Sequence, residues 1–469
     1  MATLDNLPGV QTVIEQVGLL ERAFYDPIEA MEAYGRLADN EIFPTGIGET
    51  LTKSRPALYP LAAALTPLVP SSNTNTLDNG LTDTFYTFEQ FQISIAEYAL
   101  TTSVNIMQDP TLIVKLFLQN YKQLGESAGR TLDGLAAQYI HTAYDSGNTF
   151  STTTVSSGNT ITVDNINGFD TVFQTSNSPG LPVATGTGGV NASISVYDQT
   201  TFALKGTFLI SAATPNANTS TGNASSVFGR SGTLTTTTTI AITINAGDQI
   251  LASDGSYVLR PNSKNSRFKL AATDLLTLQL IAQATAKLRA RNVPPLPNGN
   301  YLAIIDPTIW PQLMSDQAWQ YASMGTIGEG FFKNSIVNRT LGVEFINSNL
   351  VPRFYTATNT TNNAANVFAR HCVVGGMGLL IKGHFQGALD AAQFAQRGGN
   401  ADIRLIEGAK VRLITRSPVD RLQEWVTQTF SWAGGLVAPT DVTSTPLIIP
   451  TTDYARYKRA VVIEVASSI

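Results

Sequence analysis

The side chains best suited to metal or nucleophilic chemistry in this chain are its three histidines and its single cysteine. They are His141, His371, His384 and Cys372. Because His371 and Cys372 are adjacent, a Cys–His pair or a metal site comes into question there. A structural zinc site needs four ligands, however, and no Cys or His spacing in the sequence supplies them. We therefore predict no metal site and no catalytic pair at these residues.

Two glycine-bearing segments suggest ligand loops. Gly375-Gly376-Met377-Gly378 follows a predicted strand, but it lacks the Gly-x-Gly-x-x-Gly spacing of a dinucleotide loop. The run from Asp164 to Asp170 has the composition of a calcium loop. Its register fails, because Ile166 stands at the third position and no Glu closes the loop. Both segments are predicted to be turns.

No set of acid, base and nucleophile emerges from the sequence. We therefore predict no catalytic residues, no cofactor-binding residues and no cofactor, and the chain is not expected to be an enzyme.

Composition limits the remaining classes of function. The 469 residues are 43% hydrophobic but only 14% charged, well below the usual quarter, and the net charge is −5. A surface this poor in charge is often covered by neighbouring subunits, and an acidic chain gives no sign of tight phosphate binding. No apolar run is long enough to span a membrane. Residues 1–10 lack the features of a signal peptide, so we expect folding in a reducing cytoplasm.

The most distinctive segment is 146–247. It contains only five charged side chains: Asp164, Asp170, Asp198, Lys205 and Arg230. The rest is mostly Thr, Ser, Asn and Gly with β-branched apolar residues, which favours short strands and turns over helices. Alternation predicts strands at 160–163, 193–196 and 239–244. Since helical, normally charged sequence flanks this block, we predict a small β-sandwich inserted into an α/β host.

Three elements are predicted before the insertion. The first is an arm, with one helix over 11–22 and a second beginning at Asp26-Pro27. The second is a long hairpin, with an extended proline-bearing side, a turn at Asn79-Gly80 and a return strand. On that strand Phe91, Ile93 and Ile95 share one face, which needs another surface to cover it, and a neighbouring subunit is one candidate.

The third element is a long helix from Asp109-Pro110 to Tyr144. An apolar stripe at 3- and 4-residue steps indicates one buried face. It consists of Phe117, Tyr121, Leu124, Ala128, Leu132, Leu135 and Tyr139. Gly125, Gly129 and Gly134 lower helix propensity, so we predict a bend or close packing there.

The pattern of residues from about 274 to the end of the sequence indicates alternating helices and strands. Helical sequence resumes at 274–291, and a helix beginning at Asp306-Pro307 is predicted to end near Met314. Strands are predicted at 301–305, 341–346, 368–374, 404–407, 409–414, 424–432 and 460–465.

This layout and two local motifs resemble the major capsid proteins of tailed bacteriophages, which have the Hong Kong 97-type fold. YLAIIDP at 301–307, followed by LMSD at 313–316, is similar to the family's strand followed by Asp/His-Pro, Leu and Asp. LGVEFINSN at 341–349 is similar to its Leu-Gly to Ser-Asn strand and turn. The resemblance covers nearly all of the chain outside 146–265.

The resemblance implies an α+β, Hong Kong 97-like capsid fold with an inserted immunoglobulin-like β-sandwich. Its parts would be an N-terminal arm at 1–48, an extended hairpin loop at 49–103, a spine helix in the peripheral domain at 104–146, an inserted β domain at 147–265, an axial domain mainly at 266–400, and a return to the peripheral domain with C-terminal strands at 401–469.

By resemblance, the chain is a major capsid protein that assembles as hexamers and pentamers into an icosahedral shell around double-stranded DNA. It would be a virion component assembled in the host cytoplasm. Expected partners are other copies of the chain, a separate scaffolding protein, since the chain starts close to its arm, and a portal. Decoration or cement proteins are further candidates. Contact with packaged DNA is expected to be weak because the chain is acidic, and no membrane is expected.

Two alternatives remain open at this stage. One is an encapsulin-type compartment shell protein, which shares the fold. The other is a β-rich surface adhesin built on the Thr-rich block. Some relatives cross-link a hairpin lysine to a neighbour, but the sequence around Lys53 offers no matching motif.

Overall fold

The computed structural model describes residues 19–44, 48–56, 88–105, 113–174, 181–216, 231–320, 339–340, 342–355, 367–385, 401–406, 410–416, 421–422, 424–441 and 455–467. Helices and strands are mixed along these residues, as predicted. The chain divides into two compact units. The first comprises Met1–Leu51, Gln92–Tyr139 and Leu380–Val437, and the second comprises Thr52–Phe91, Ile140–Leu379 and Ala438–Ile469.

One sheet dominates the described part of the first unit. Its strands are β1 (Ala38–Phe43), β4 (Ala96–Asn105), β19 (Leu380–Phe385), β20 (Ala401–Ile406), β21 (Val411–Arg416) and β22 (Trp425–Val437). The order is β1-β19-β22-β21-β20, and β4 also pairs with β22. Strands β1 and β19 are parallel to each other, and the other pairs of strands described in this sheet are antiparallel. The predicted strands at 404–407, 409–414 and 424–432 are present in this sheet.

Two helices pack closely in the first unit. They are α1 (Leu19–Met31) and α2 (Ile113–Tyr144), of which the residues up to Tyr139 belong to this unit. A side chain at Gly125 would lie 2.3 Å from the Phe24 carbonyl oxygen, and one at Gly129 would lie 3.1 Å from the Ile28 Cα. The predicted close packing is therefore confirmed at these two glycines.

The apolar stripe of α2 is confirmed over part of its length. Its side chains from Tyr121 to Leu132 are buried, whereas Tyr139 is 37% exposed. Beyond Leu132 the buried apolar side chains include Ala136, Ala137 and Ile140, so the buried face lies one residue further along the helix than the predicted Leu135 and Tyr139. The Phe117 side chain and the predicted cap at Asp109-Pro110 lie outside the description.

Two predictions for residues 19–44 are wrong. Asp26 does not begin a helix, because α1 continues through Pro27, with Arg22 and Asp26 3.6 Å apart as an i,i+4 pair. Nor is this segment a free arm: Phe24 and Ile28 are buried, and β1 is part of the sheet. Residues 1–18, with most of the predicted helix 11–22, lie outside the described part.

The insertion forms a barrel in the second unit. Its strands are β5 (Asn148–Phe150), β6 (Gly158–Val163), β9 (Ala192–Tyr197), β10 (Leu204–Pro215), β11 (Gly232–Ile240) and β12 (Gln249–Ala252). They form one sheet in the order β5-β12-β9-β10-β11-β6. The chain just after β5 then pairs with β6 through a Ser151–Val163 bridge, and Thr152 N donates to Thr162 O at 3.0 Å.

The predicted immunoglobulin-like sandwich is therefore wrong for the described strands, because one curved sheet closes where two packed sheets were expected. A separate two-stranded ribbon joins β7 (Thr171–Gln174) and β8 (Leu181–Ala184). The predicted alternation is confirmed on β9, where Ile194 and Val196 are buried in the barrel core. The strand predicted at 239–244 is shifted, since β11 ends at Ile240.

The two ends of the barrel meet at one point of the chain. Ser256 N donates to Ser146 O at 2.9 Å, and the two serine hydroxyls lie 3.0 Å apart. The insertion thus closes at Ser256 and not at residue 265. The residues that follow begin another sheet with β13 (Val258–Leu259).

That second sheet of the unit holds the main apolar core. Its strands are β13, β14 (Tyr301–Ile305), β15 (Arg339–Thr340), β16 (Val343–Asn347), β17 (Arg353–Tyr355), β18 (Phe368–Gly375) and β23 (Ala460–Ser467). Their order is β13-β23-β18-β14-β16-β15, with β17 on β18. Helices α3 (Leu278–Ala290) and α4 (Trp310–Ser315) contribute to the same core. The sheet thus contains β23, which was expected to join the strands at 404–432.

The hairpin is described only at its base. There β2 (Thr50–Pro56) and β3 (Phe88–Ser94) pair, and Asn79-Gly80 lies outside the description. Phe91 is 5% and Ile93 0% exposed, which confirms the alternation. Because both are already buried within this chain, no neighbouring subunit is needed to cover them.

An acidic side chain at Ile93 should therefore prevent folding of the chain as well as any assembly. Ile93 lies against Gly435, and Ile93→Asp would bury an unpaired carboxylate at a cost on the order of 3–5 kcal/mol. Soluble, folded protein should be lost, as judged by circular dichroism and size-exclusion chromatography. Gln92→Asp, at the exposed neighbour, is the matched control. A folded, soluble Ile93→Asp chain would contradict this packing.

Candidate functional site: two buried ionic networks

Arg267 lies at the centre of a buried ionic network in the second unit. Its side chain is 4% exposed. Nη2 donates to Asp145 Oδ2 at 2.7 Å and to Glu464 Oε1 at 2.5 Å, while Nη1 lies 3.6 Å from Asp164 Oδ2. The guanidinium also stacks 4.1 Å above the centre of the Phe354 ring. One cation thus contacts three carboxylates.

Glu464 is held from three sides. Arg260 Nε donates to its Oε2 at 2.6 Å, and His371 Nε2 lies 3.0 Å from its Oε1. Burial alone would raise the pKa of Glu464. The guanidinium groups of Arg260 and Arg267 outweigh burial and hold that pKa well below its usual range.

Each member of the network comes from a different element. Asp145 directly follows α2, and Asp164 directly follows β6. Arg267 begins a short 3-10 helix whose Phe268 N donates to the Ser266 hydroxyl at 3.2 Å. His371 on β18 and Glu464 on β23 are direct cross-strand partners. The network therefore joins the root of the barrel to the sheet of the same unit.

The same cluster is the candidate metal site of the described residues. One ligand atom each from Asp145, His371 and Glu464 lies within 4.8 Å of the others. Yet Arg267 already donates to the facing oxygens of both carboxylates. The guanidinium supplies the positive charge that a metal ion would bring, so the donor set does not fit a metal.

Two of these acids remain hard to ionise. Burial raises the pKa of Asp164 to about 6, although Arg267 opposes the shift. Burial likewise raises the pKa of Asp145, again against Arg267. The cause is the same for both: three carboxylates share two guanidinium groups in a site closed to water.

His141 and Cys372 do not extend this cluster into a catalytic one. The ring centre of His141 lies 5.6 Å from that of His371, and burial, with His371 second, lowers the pKa of His141 well below its usual value. Cys372 follows His371 on β18, so the two side chains point to opposite faces. Cys372 lies in the apolar core, where burial raises the pKa of its thiol. His141 is thus neutral and the thiol is inert.

His384 serves the sheet of the first unit. Its Nδ1 accepts from Trp432 Nε1 at 3.2 Å, and its Nε2 lies 3.2 Å from Asn40 Oδ1. Burial, assisted by Lys382 and Lys410, lowers the pKa of His384 to about 4. A neutral imidazole therefore links β1, β19 and β22.

The other candidate segments are structural as well. A turn occupies the glycine run, with Met377 N donating to Pro294 O at 3.0 Å. After Asp164, Asn167 N donates to Asn165 Oδ1 at 3.0 Å, which forms the predicted turn. Lys53 lies partly buried on β2.

A second ionic network holds the base of the hairpin within the second unit. Arg55 on β2 pairs with Glu89 on β3, and its Nη2 donates to Asp441 Oδ1 at 2.7 Å. Arg55 Nη1 also donates to Gly378 O at 3.3 Å. Burial, with Asp441 second, raises the pKa of Glu89 to about 8 although Arg55 opposes it. The hairpin base is thus fixed by side chains far from it in sequence.

Sequence reasoning missed both networks. Their members are separated by long stretches of chain, and no local spacing marks them. The available signal was indirect: Glu464 stands inside a run of apolar residues in a chain that has few charges.

Replacing Arg267 by Met should strongly destabilise the second unit. Removing one partner of a buried ionic network leaves its carboxylates uncompensated, at a cost of about 3–5 kcal/mol. The free energy of unfolding, measured by chemical denaturation of the full chain, should fall by that amount for Arg267→Met. Lys269→Met, in the same short helix but partly exposed, should change it little. Equal stability of both variants would show that the network is dispensable.

Replacing Asp164 by Asn should flatten the pH dependence of stability. The raised pKa of Asp164 means that the folded chain keeps this proton when the unfolded chain loses it, so stability falls as pH rises from about 4 to 6. Asn cannot ionise, and the loss between pH 4 and 7 should shrink by up to about 3 kcal/mol. Thermal unfolding at both pH values measures the difference, with the exposed Asp170→Asn as control. An unchanged pH dependence would place Asp164 in contact with water.

The sequence matches no family model and no curated protein. The fold is similar to solved phage capsids. The capsid of Ralstonia phage GP4 is 12% identical with a TM-score of 0.48, over 92% of this chain and 87% of that chain. The capsid of cyanophage P-SCSP1u is 12% identical with a TM-score of 0.42, over 93% and 88%. The capsid of cyanophage Pam1 is 10% identical with a TM-score of 0.43, over 93% of each chain. No described helix is both long and apolar enough to cross a membrane.

Proposed function

We propose that this chain is the major capsid protein of a tailed bacteriophage, with a Hong Kong 97-like fold. The observation that carries the proposal is the order of its elements. A paired hairpin base (β2 and β3) leads into β4, then into the 32-residue helix α2, and then into sheets interrupted by a barrel. This is the order that the sequence resemblance implies. In addition, the two motifs that carry the resemblance coincide with β14 and β16 and the turns that follow them.

The surface of the first unit supports self-assembly. Large apolar side chains are exposed there on strand edges and turns: Ile42 at 64%, Leu422 at 76%, Trp425 at 47% and Leu100 at 43%. On a chain with only 14% charged residues, such side chains mark surfaces that favour protein contacts. We propose that other copies of the chain cover them, in hexamers and pentamers of an icosahedral shell.

The other proposed partners follow from this function. A separate scaffolding protein and a portal would be needed for assembly, and decoration proteins are further candidates. Packaged double-stranded DNA would be contacted weakly, because a chain of net charge −5 offers few phosphate contacts. We also propose that the barrel lies on the outer surface of the shell. The chain enters and leaves the barrel at one place, Ser146 and Ser256, which supports this, since such a graft leaves the host sheets uninterrupted.

The full chain, expressed with and without a candidate scaffolding protein, should form closed shells visible by electron microscopy. Ile42→Asp and Leu422→Asp should fold but give no shells, because a carboxylate would be buried between subunits. Sedimentation velocity separates assembled from free chains. Ser103→Asp, also exposed in the first unit, is the matched control.

Only monomers from the wild-type chain under both conditions would contradict the proposed function. Full-sized shells from both aspartate variants would contradict only the choice of interface.

A further inference from the structure

A large cavity lies in the second unit, beside the root of the barrel. Its volume is about 840 Å³, and its walls come from β5, β12, the loop at Phe202 and the segment 255–283. Cavities of this size hold small organic ligands in other proteins. No residue of the two ionic networks lines it except Arg260.

The floor of the cavity is polar and buried. Gln249 is 2% exposed, Asn148 9% and Arg260 7%. Gln249 Nε2 donates to Asn148 Oδ1 at 3.1 Å, and Arg260 Nη2 lies 3.4 Å from the same oxygen. Gln249 Oε1 has no hydrogen-bond partner. A buried amide oxygen without a donor is costly, so a ligand that reaches the floor and donates to it is favoured.

The rim carries neutral polar groups. Exposed amide and hydroxyl side chains surround the opening: Asn262, Ser263, Asn265, Thr273, Gln279 and Gln283. The described lining contains no acidic residue and two basic ones, Arg260 and Lys264. The charge of Arg260 is already paired with Glu464. The lining therefore holds only one further cation, that of Lys264, which is too little for a polyanion site.

Two aromatic side chains stand fixed in the walls. Phe202 stacks on Tyr197 with ring centres 4.6 Å apart, and the Tyr257 ring lies 4.7 Å from Lys287 Nζ. Phe202 has a φ of 56°, in the left-handed region that bulky residues avoid. Asn262 and Ser263, on the rim, have φ values of 52° and 55°. Three of the five described non-glycine residues with positive φ thus line this one cavity, and strain of this kind clusters at ligand sites.

We propose that this cavity binds a neutral saccharide. Sugar hydroxyls both donate and accept hydrogen bonds, as do the amides and hydroxyls of the rim and floor. The C–H faces of a sugar ring also pack against aromatic walls. A protein segment fits less well, because the cores of protein interfaces are more apolar than this lining, whose floor and rim carry six side-chain amides.

The test uses the full-length chain and a panel of neutral disaccharides: maltose, cellobiose, lactose and diacetylchitobiose. Saturation-transfer NMR detects binding, and calorimetry measures affinity. At least one disaccharide should bind with a Kd on the order of 1 mM. Gln249→Leu should weaken that binding at least about tenfold, because the floor acceptor is lost.

A second variant tests the proposal independently, in case Gln249→Leu does not fold. The double substitution Gln279→Ala with Gln283→Ala changes only exposed rim residues, so it should fold normally and still weaken binding. Gln92→Ala, exposed on β3 away from the lining, should leave binding unchanged.

Three outcomes would overturn the proposal. One is that no sugar of the panel binds even at sugar concentrations well above about 10 mM. Another is binding that the rim double variant leaves unchanged. The third is burial of the rim by protein, seen as hydrogen-exchange protection of 262–283 on assembly without sugar. The first two results say nothing about whether the chain forms shells, and the third is obtained only if it does.

Discussion

The guanidinium of Arg267 is the constraint on which the second unit depends. An unpaired charge in a closed interior costs several kcal/mol, so carboxylates can be buried there only where a cation meets them. Asp145, Asp164 and Glu464 bring the end of α2, the turn after β6 and the last strand to one point. The root of the barrel and the C-terminal strand are thereby fixed together, although neither could form this site alone.

Other charged side chains of this chain also hold buried segments together. Asp133, buried in α2, accepts from the backbone N–H groups of Ala33 and Tyr34 at 2.9 and 2.6 Å. Arg456 pairs with Asp254 just before the barrel closes at Ser256. Several of the few charges therefore hold segments together inside the units, which leaves fewer for the surface. A surface with few charges carries a small desolvation cost when other molecules cover it, and this favours assembly.

Local periodicity predicted much of the secondary structure, and it failed where distant partners decide. Alternation located β9, and the apolar run at Tyr301–Ile305 located β14, because the burial of a strand determines the pattern of apolar residues along it. The closure of the barrel depends on Ser151 meeting Val163, which no local pattern signals. The pairing of β23 with β18 likewise joins residues far apart in sequence, so no local pattern indicates it. The network around Arg267 was missed because no periodic pattern in the sequence marks which side chains hydrogen-bond to one another.

The N-terminal helix shows how packing overrides a local signal. Pro27 lacks an N–H and disfavours a helix interior, and Asp26-Pro27 is a common helix start. Yet α1 continues through both residues, because Phe24 and Ile28 lie on either side of the proline and pack where Gly125 and Gly129 let the backbones approach. Burying two large side chains contributes roughly 3–6 kcal/mol, enough to offset a proline cost of about 3 kcal/mol. The glycines that lower the helix propensity of α2 thus allow α1 to pack against it.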